Sequence, residues 1–168
     1  MRNQAGTLPL VGGSGHHVLV TGWGAGTTQT LTSAIATRGV TSQRVYTGSN
    51  PSAATIAAAV AAANASDDVV VTTNNAWGDS GQQALVQALL GTGKRVIVVS
   101  LGGPYDLAYF ASAPTYIAAY GYQPDTLSAL VAAIFGAQPG GHLPVTIHRV
   151  DDPSKILVPY GTGLGYPR

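Results

Sequence analysis

The sequence predicts an α/β fold: a three-layer α/β/α sandwich whose mostly parallel sheet of about six strands is doubly wound in the flavodoxin-like manner. Three observations carry this expectation. Short Val/Ile-rich runs recur along the chain, and several are apolar without alternation, as in strands covered on both faces. Ala-rich or amphipathic stretches fall between those runs. Glycine, proline and capping residues mark the joints between the two kinds of segment. Alternating β and α elements then imply parallel pairing with right-handed crossovers.

Strands are expected at His17–Thr21, Arg44–Thr47, Asp68–Thr73, Arg95–Leu101, Thr115–Tyr120 and Pro144–Ile147. The turn Thr21-Gly-Trp-Gly-Ala-Gly26 joins the first strand to the first helix. Asn50 as N-cap and Pro51 at the first helical position open an Ala-rich helix that runs to about Asn64. Asp79-Ser-Gly-Gln82 reads as a capping-box variant at the start of the next helix. From about Pro124, the residues Leu127, Leu130, Val131 and Ile134 follow helical spacing, and Gly136 is a natural stop. The chain reads as one domain over residues 1–168. Within it, residues 1–16 form a lead-in segment with a flexible Gly12-Gly-Ser-Gly15 loop, and residues 149–168 form an irregular C-terminal tail.

Composition narrows the class. Hydrophobic residues make up 45% of the 168, enough for a sizeable core. Charged residues reach only 9%, against about 25% in an average domain. Thr, Ser, Asn and Gln cover the surface, or another domain covers part of it; the two are compatible. With a net charge of +1 and no basic cluster, nucleic acid is not an expected partner. No apolar stretch approaches the ~20 residues of a membrane span. Met1-Arg-Asn-Gln-Ala is followed by no apolar signal-peptide core. The absence of cysteine removes disulfide and thiol chemistry. Asn64-Ala-Ser66 matches a glycosylation sequon by chance at a helix end.

Several motifs admit bland readings. In the Gly22–Gly26 turn, Thr27 stands at the third glycine position of a dinucleotide fingerprint, and Gly48-Ser-Asn50 stands where a ribose-binding acid belongs. A tight βα turn explains it. Gly78-Asp-Ser-Gly81 resembles a protease nucleophile segment, but helix capping accounts for Asp79 and Ser80. His16, His17, His142 and His148 show no ligand spacing, so neither a metal nor another cofactor is expected. Asp79, Asp106 and Asp125 lie near strand C-terminal ends, each also near a helix start where an anion is favourable.

The same edge of the expected sheet gathers Trp23, Trp77, Tyr105 and Tyr122 with Asn74, Asn75 and Asp106. Aromatic faces stack on sugar rings and amides bond hydroxyls, so this set is a candidate sugar contact. It is equally a candidate domain interface, where Trp and Tyr are favoured, or plain packing.

With these segments in view, the chain resembles the C-terminal α/β sandwich domain of glycoside hydrolase family 3, in particular the bacterial β-N-acetylglucosaminidase (β-hexosaminidase) branch. The resemblance rests on Arg2-Asn-Gln-Ala-Gly-Thr-Leu-Pro-Leu10, Gln83-Ala-Leu-Val-Gln-Ala-Leu-Leu90, Leu101-Gly-Gly-Pro-Tyr-Asp-Leu107, Phe135-Gly136, Gly141-His-Leu-Pro-Val145 and Pro159-Tyr-Gly-Thr-Gly-Leu-Gly-Tyr166, in order. It implies a parent enzyme that hydrolyses terminal N-acetylglucosaminides with retention, its nucleophilic Asp and its His-Asp acid/base on a preceding (β/α)8 barrel absent from this sequence. That barrel, and an N-acetylglucosamine-containing saccharide at its cleft, are the implied partners. A secreted or cell-envelope parent is the implied setting. Related β-glucosidases place an acid/base Glu in this second domain, yet all seven acidic residues here are Asp. Ordinary glycoside hydrolysis needs a pair of carboxyl groups flanking one bond, so no catalytic residue carries over. The expected role is an accessory domain, inactive alone. The alternatives are a freestanding phosphate or nucleotide binder using the Gly22–Gly26 turn, and a freestanding carbohydrate-binding module.

Overall fold

The structure is a computed structural model describing residues 1–166; the last two residues of the expected tail lie outside it. Its centre is a sheet of six strands in the order β1-β6-β5-β4-β2-β3. These are β1 (Arg2–Asn3), β2 (His17–Gly22), β3 (Thr41–Tyr46), β4 (Asp68–Thr73), β5 (Arg95–Ser100) and β6 (Thr115–Ala118). Strands β2 to β6 pair in parallel, and β1 joins antiparallel at the edge. Counting the parallel strands alone, the order is the doubly wound 2-1-3-4-5 type.

Alternation along each strand sorts the core into two layers. Val18, Val20, Val70, Ile97 and Val99 face α1 (Ala25–Ala36) and α4 (Pro124–Ile134), where Leu31, Ile35, Leu127, Leu130 and Ile134 meet them. Leu19, Val69, Val71, Val96 and Val98 face α2 (Ala53–Asn64) and α3 (Ser80–Leu90), meeting Ala59, Ala63, Leu85 and Leu89. Burial on both sides is why the central strands read as unbroken apolar runs.

Local chemistry sets the boundaries, in places differently from the sequence expectation. Helix α2 is capped by Ser52, whose Oγ accepts from the Thr55 amide at 3.3 Å, so Asn50 and Pro51 stand outside it. A serine directly before an Ala run competes better for the cap than an asparagine two residues upstream. Strand β3 begins at Thr41, three residues before the expected start at Arg44. It is an edge strand, and its polar Thr41-Ser-Gln43 opening hides it from a hydrophobicity reading. Strand β6 stops at Ala118 because the chain turns at Tyr120, where φ is 58°. The sixth strand of the sheet is β1 from the lead-in segment, not Pro144–Ile147. That segment instead supplies β7 (Ile147–His148), which pairs antiparallel with β8 (Ile156–Val158) in a separate ribbon. Within the described part of the expected irregular tail, Ile156–Val158 thus forms one short strand.

The lead-in segment is anchored rather than loose over its first ten residues. The Asn3 side chain donates to the Leu8 carbonyl at 2.7 Å and accepts from the Leu8 amide at 3.1 Å. Leu8 and Leu10 are buried, and the Leu10 amide donates to the Ile134 carbonyl at the end of α4.

At the amino edge of the sheet, Asp68 opens β4 with 0% exposure. Arg95 from the neighbouring strand holds it: Nη2 donates to Oδ2 and Nε lies 2.7 Å from Oδ1. His16 contacts the same Oδ2 from the other side. A buried carboxylate is tolerated only with such partners. Arg95→Ala is expected to destabilise the chain by about 2–3 kcal/mol, below the full cost of breaking a buried pair because Arg95 is half exposed. In a urea-unfolding double-mutant cycle with Asp68→Ala, the two losses should sum to more than the double mutant shows.

Candidate functional site

All seven candidate residues follow strands on the carboxyl side of the sheet. Trp23 comes directly after β2, and Asn74 and Asn75 directly after β4. Trp77 sits in a short 3-10 turn at Ala76–Gly78, Tyr105 and Asp106 in a second 3-10 segment at Pro104–Phe110 after β5, and Tyr122 between β6 and α4. Parallel topology makes this convergence unavoidable, since every βα loop leaves the same edge.

Within that edge the residues separate into groups. Trp23 and Tyr122 form a tilted aromatic pair with centroids 5.5 Å apart, and Trp23 also packs against the α1/α4 layer of the core. Trp77 and Tyr105 are 55% and 51% exposed, with Tyr120 and Tyr122 also half exposed. Burial, and to a lesser degree the charge of Tyr105, raise the Tyr120 phenol above its ordinary pKa. Tyr120 is the member of this aromatic group that sequence reasoning missed; its left-handed turn is the feature that brings it round.

The Asn74 backbone is fixed by a network centred on Gln82. Its Oε1 accepts from the Asn74 amide at 2.9 Å, and its Nε2 donates to the Asn74 carbonyl and to Asp79. Asp79 in turn accepts from the Gln82 backbone amide at 2.9 Å, which is the expected cap of α3. Asn75 takes a left-handed conformation with φ 53°, one an asparagine tolerates. The Asn74 side chain lies against Gly102, where a Cβ would collide with it.

Asp106 differs from the contact role considered for it. It is 1% exposed and turned inward, accepting from Thr73 Oγ1 at 2.7 Å and from the Trp77 amide at 3.4 Å. It ties the end of β4 to the Trp77 turn and presents no carboxylate to solvent. Burial is the larger influence on it and raises its pKa, against the lowering effect of those hydrogen bonds.

The strand end of the Gly22–Gly26 turn is packed directly against β4. The crevice of this topology falls between β2 and β4, where the strand order reverses. Here the Trp23 amide donates to the Thr72 carbonyl at 2.9 Å, and Thr72 Oγ1 donates to the Thr21 and Trp23 carbonyls. Gly22, at φ 111°, has the Thr72 backbone where a Cβ would stand. Its glycine answers strand-to-strand approach, not ligand approach.

The three acids near this edge stand in three different settings. Asp106 is buried, Asp79 is engaged in a cap, and Asp125 stands exposed in the first turn of α4. Among the described residues, no group of three or more His or Asp side chains is placed to hold a metal ion, and no helix is long and apolar enough to cross a membrane.

Fold and site together define a doubly wound α/β sandwich domain with an aromatic carboxyl edge. The chain belongs to the glycosyl hydrolase family 3 C-terminal domain family, whose model matches residues 1–166. Among solved structures it is similar to a family 3 β-N-acetylglucosaminidase from Paenibacillus sp. str. FPU-7, with 22% identity and a TM-score of 0.68, over 80% of this chain and 27% of that one. It is also similar to a β-glucosidase from Listeria innocua in complex with isofagomine, with 17% identity and a TM-score of 0.78, over 99% of this chain and 32% of the other. A family 3 exo-β-xylosidase matches with 16% identity and a TM-score of 0.79, over 99% of this chain and 29% of its own. The chain thus spans about a third or less of these enzymes' length. Comparison with curated proteins finds no match.

The raised pKa of Asp106 has a testable sign. A carboxyl with a folded pKa above its unfolded value binds its proton more tightly in the native state. It therefore adds most stability below the ordinary carboxyl range, and that contribution is lost as pH rises through the folded value. Relative to Asp106→Asn, which does not titrate, the native protein should lose melting temperature steadily as pH is raised from about 4 towards neutrality. Parallel melting curves that keep a constant separation across that range contradict this.

Proposed function

We propose that this chain is the accessory domain of a family 3 β-N-acetylhexosaminidase, inactive alone, and that it docks on a (β/α)8 catalytic barrel through the carboxyl edge of its sheet and borders the saccharide cleft there. The observation that carries this reading is the concentration of exposed aromatic rings at an edge whose acids are capped, buried or isolated. Rings of that kind, with little charge around them, suit the desolvated centre of an interface. The direction of β1 supports the same side. It runs antiparallel to β6, so its start points toward the carboxyl edge, and a segment joined to that start arrives from there. N-acetylglucosamine as the sugar follows from the sequence resemblance in the Leu101–Leu107 and Gly141–Val145 segments.

The decisive assay is turnover of a chromogenic N-acetylglucosaminide. The chain alone should show none, and hydrolysis by it would overturn the accessory role. Adding a separately produced family 3 N-acetylglucosaminidase barrel should give a complex on a sizing column. Trp77→Ala or Tyr105→Ala should weaken that complex about tenfold or more, as central aromatic anchors do. Both positions are exposed, so neither change should shift stability by more than about 0.5 kcal/mol.

A further inference from the structure

The outer edge of β6 is only partly covered. β1 places Arg2 opposite Tyr116 and Asn3 opposite Thr115, and the Gln4 amide donates to the Pro114 carbonyl at 2.8 Å. Residues 114 and 116 therefore turn their backbone groups toward β1. The Ala119 amide faces the other way, donating to the Ser100 carbonyl beside β5 at 2.8 Å. By alternation Ala118 is the next residue facing outward, and the paired stretch of β1 ends before reaching it. An outward N–H and C=O at a sheet edge is a template for another strand.

Two cavities meet at this position, one on each face of the sheet. The first, about 420 Å³, lies on the α2/α3 side beneath Tyr116 and Ala118, floored by Leu107, Leu143, Ile147 and Leu157. The second, about 470 Å³, lies on the α4 side beside Ile117 and Ala119, against Ala129, Leu130 and Ala133. Met1, Ala118, Leu143 and Thr162 line both, so the Leu143 and Thr162 segments flank the edge without bonding to Ala118. Apart from Arg2 in the first and His142 in the second, no side chain that carries or gains a charge at ordinary pH lines either one.

We infer that the β6 edge at Ala118 is a strand-addition site for an extended apolar segment, antiparallel to β6 and in line with β1. Successive side chains of a strand point to opposite faces. The residue opposite Ala118 drops into the first cavity and the residue opposite Ala119 into the second. Main-chain bonds to Ala118 supply the pairing, and the two apolar cavities select the side chains. The occupant is the segment by which the catalytic domain leads into β1. Continuity with the β1 pairing argues for it, since a strand prolonged from Met1 in the existing register lands opposite Ile117, Ala118 and Ala119. This choice of occupant rests on the function proposed above; the strand site itself follows from the register.

Amide hydrogen exchange by NMR tests it. The full chain is prepared as it is, with Val-Leu-Val-Ala appended before Met1, and with an appended peptide of equal length that carries proline opposite Ala118. The apolar extension should slow exchange at the Ala118 amide about tenfold or more and leave Ile97 in the core unchanged, while the proline extension should do neither. Equal Ala118 exchange in all three proteins overturns the proposal. Sedimentation of the unextended chain addresses a rival occupant: a dimer that already protects Ala118 means a second copy fills the edge, and the assignment fails. Barrel binding is scored separately. Protection of Ala118 without barrel association sinks only the proposed function, and barrel association without protection sinks only this inference.

Discussion

A central strand covered on both faces has nowhere to put an unsatisfied polar group, and β4 meets that constraint with a buried carboxylate at each end. Asp68 begins the strand and is held by Arg95 and His16. Thr73 ends it and donates to Asp106. Between them run residues with no measurable exposure. Each carboxylate also fixes its surroundings: the first pins the chain leaving the lead-in segment at His16, and the second pins the turn that carries Trp77. Position and exposure of the aromatic edge follow from these anchors.

The same constraint accounts for where most of the acidic side chains of this chain are spent. Of its seven acidic residues, Asp68 and Asp106 are interior. Asp79 belongs to the α3 cap, and Asp67 accepts from the His17 amide, a bond that lowers its pKa. In the tail, Arg149 pairs with Asp151, while Asp152 accepts from Ser154 and pairs with Lys155, and these partners lower both carboxyl pKa values. Nearly every carboxylate thus stabilises the fold in its ionised or buried form. A glycosidase reserves two for one bond.

Much of the framework was legible in the residues because burial on two faces writes itself as Val/Ile runs, as in Val69-Val-Val71 and Val96-Ile-Val-Val99. The candidate edge was legible for the same reason, since strand ends in a parallel sheet point one way. What escaped was set by partners distant in sequence. Strand β1 is two residues long and exists because β6 lies beside it, more than a hundred residues away. β8 needs β7 across a loop, and the Asp106 carboxylate is interior only because Thr73 and Trp77 fold over it. The cap at Ser52 was a choice between neighbours that spacing alone does not decide.

The low charge content and the two uncovered surfaces belong together geometrically. Tyr120 stands at the point where they meet: it lines the cavity on the α4 side, and it follows β6 at the carboxyl edge with its side chain half exposed. A strand continuing past Ala118 and Ala119 moves toward the carboxyl end of β6, and so toward Tyr120. A polypeptide added at the β6 edge is therefore delivered to the aromatic edge, with no change of direction. Had β1 been parallel to β6, the same addition would emerge at the opposite, amino edge of the sheet, the one at which Asp68 and Arg95 are paired. The antiparallel sense of one short strand thus decides toward which end of the sheet a chain continuing from β1 runs. Charge is scarce on this chain, at 9% of its residues, and the aromatic edge and the cavities beside β6 are lined almost wholly by uncharged side chains.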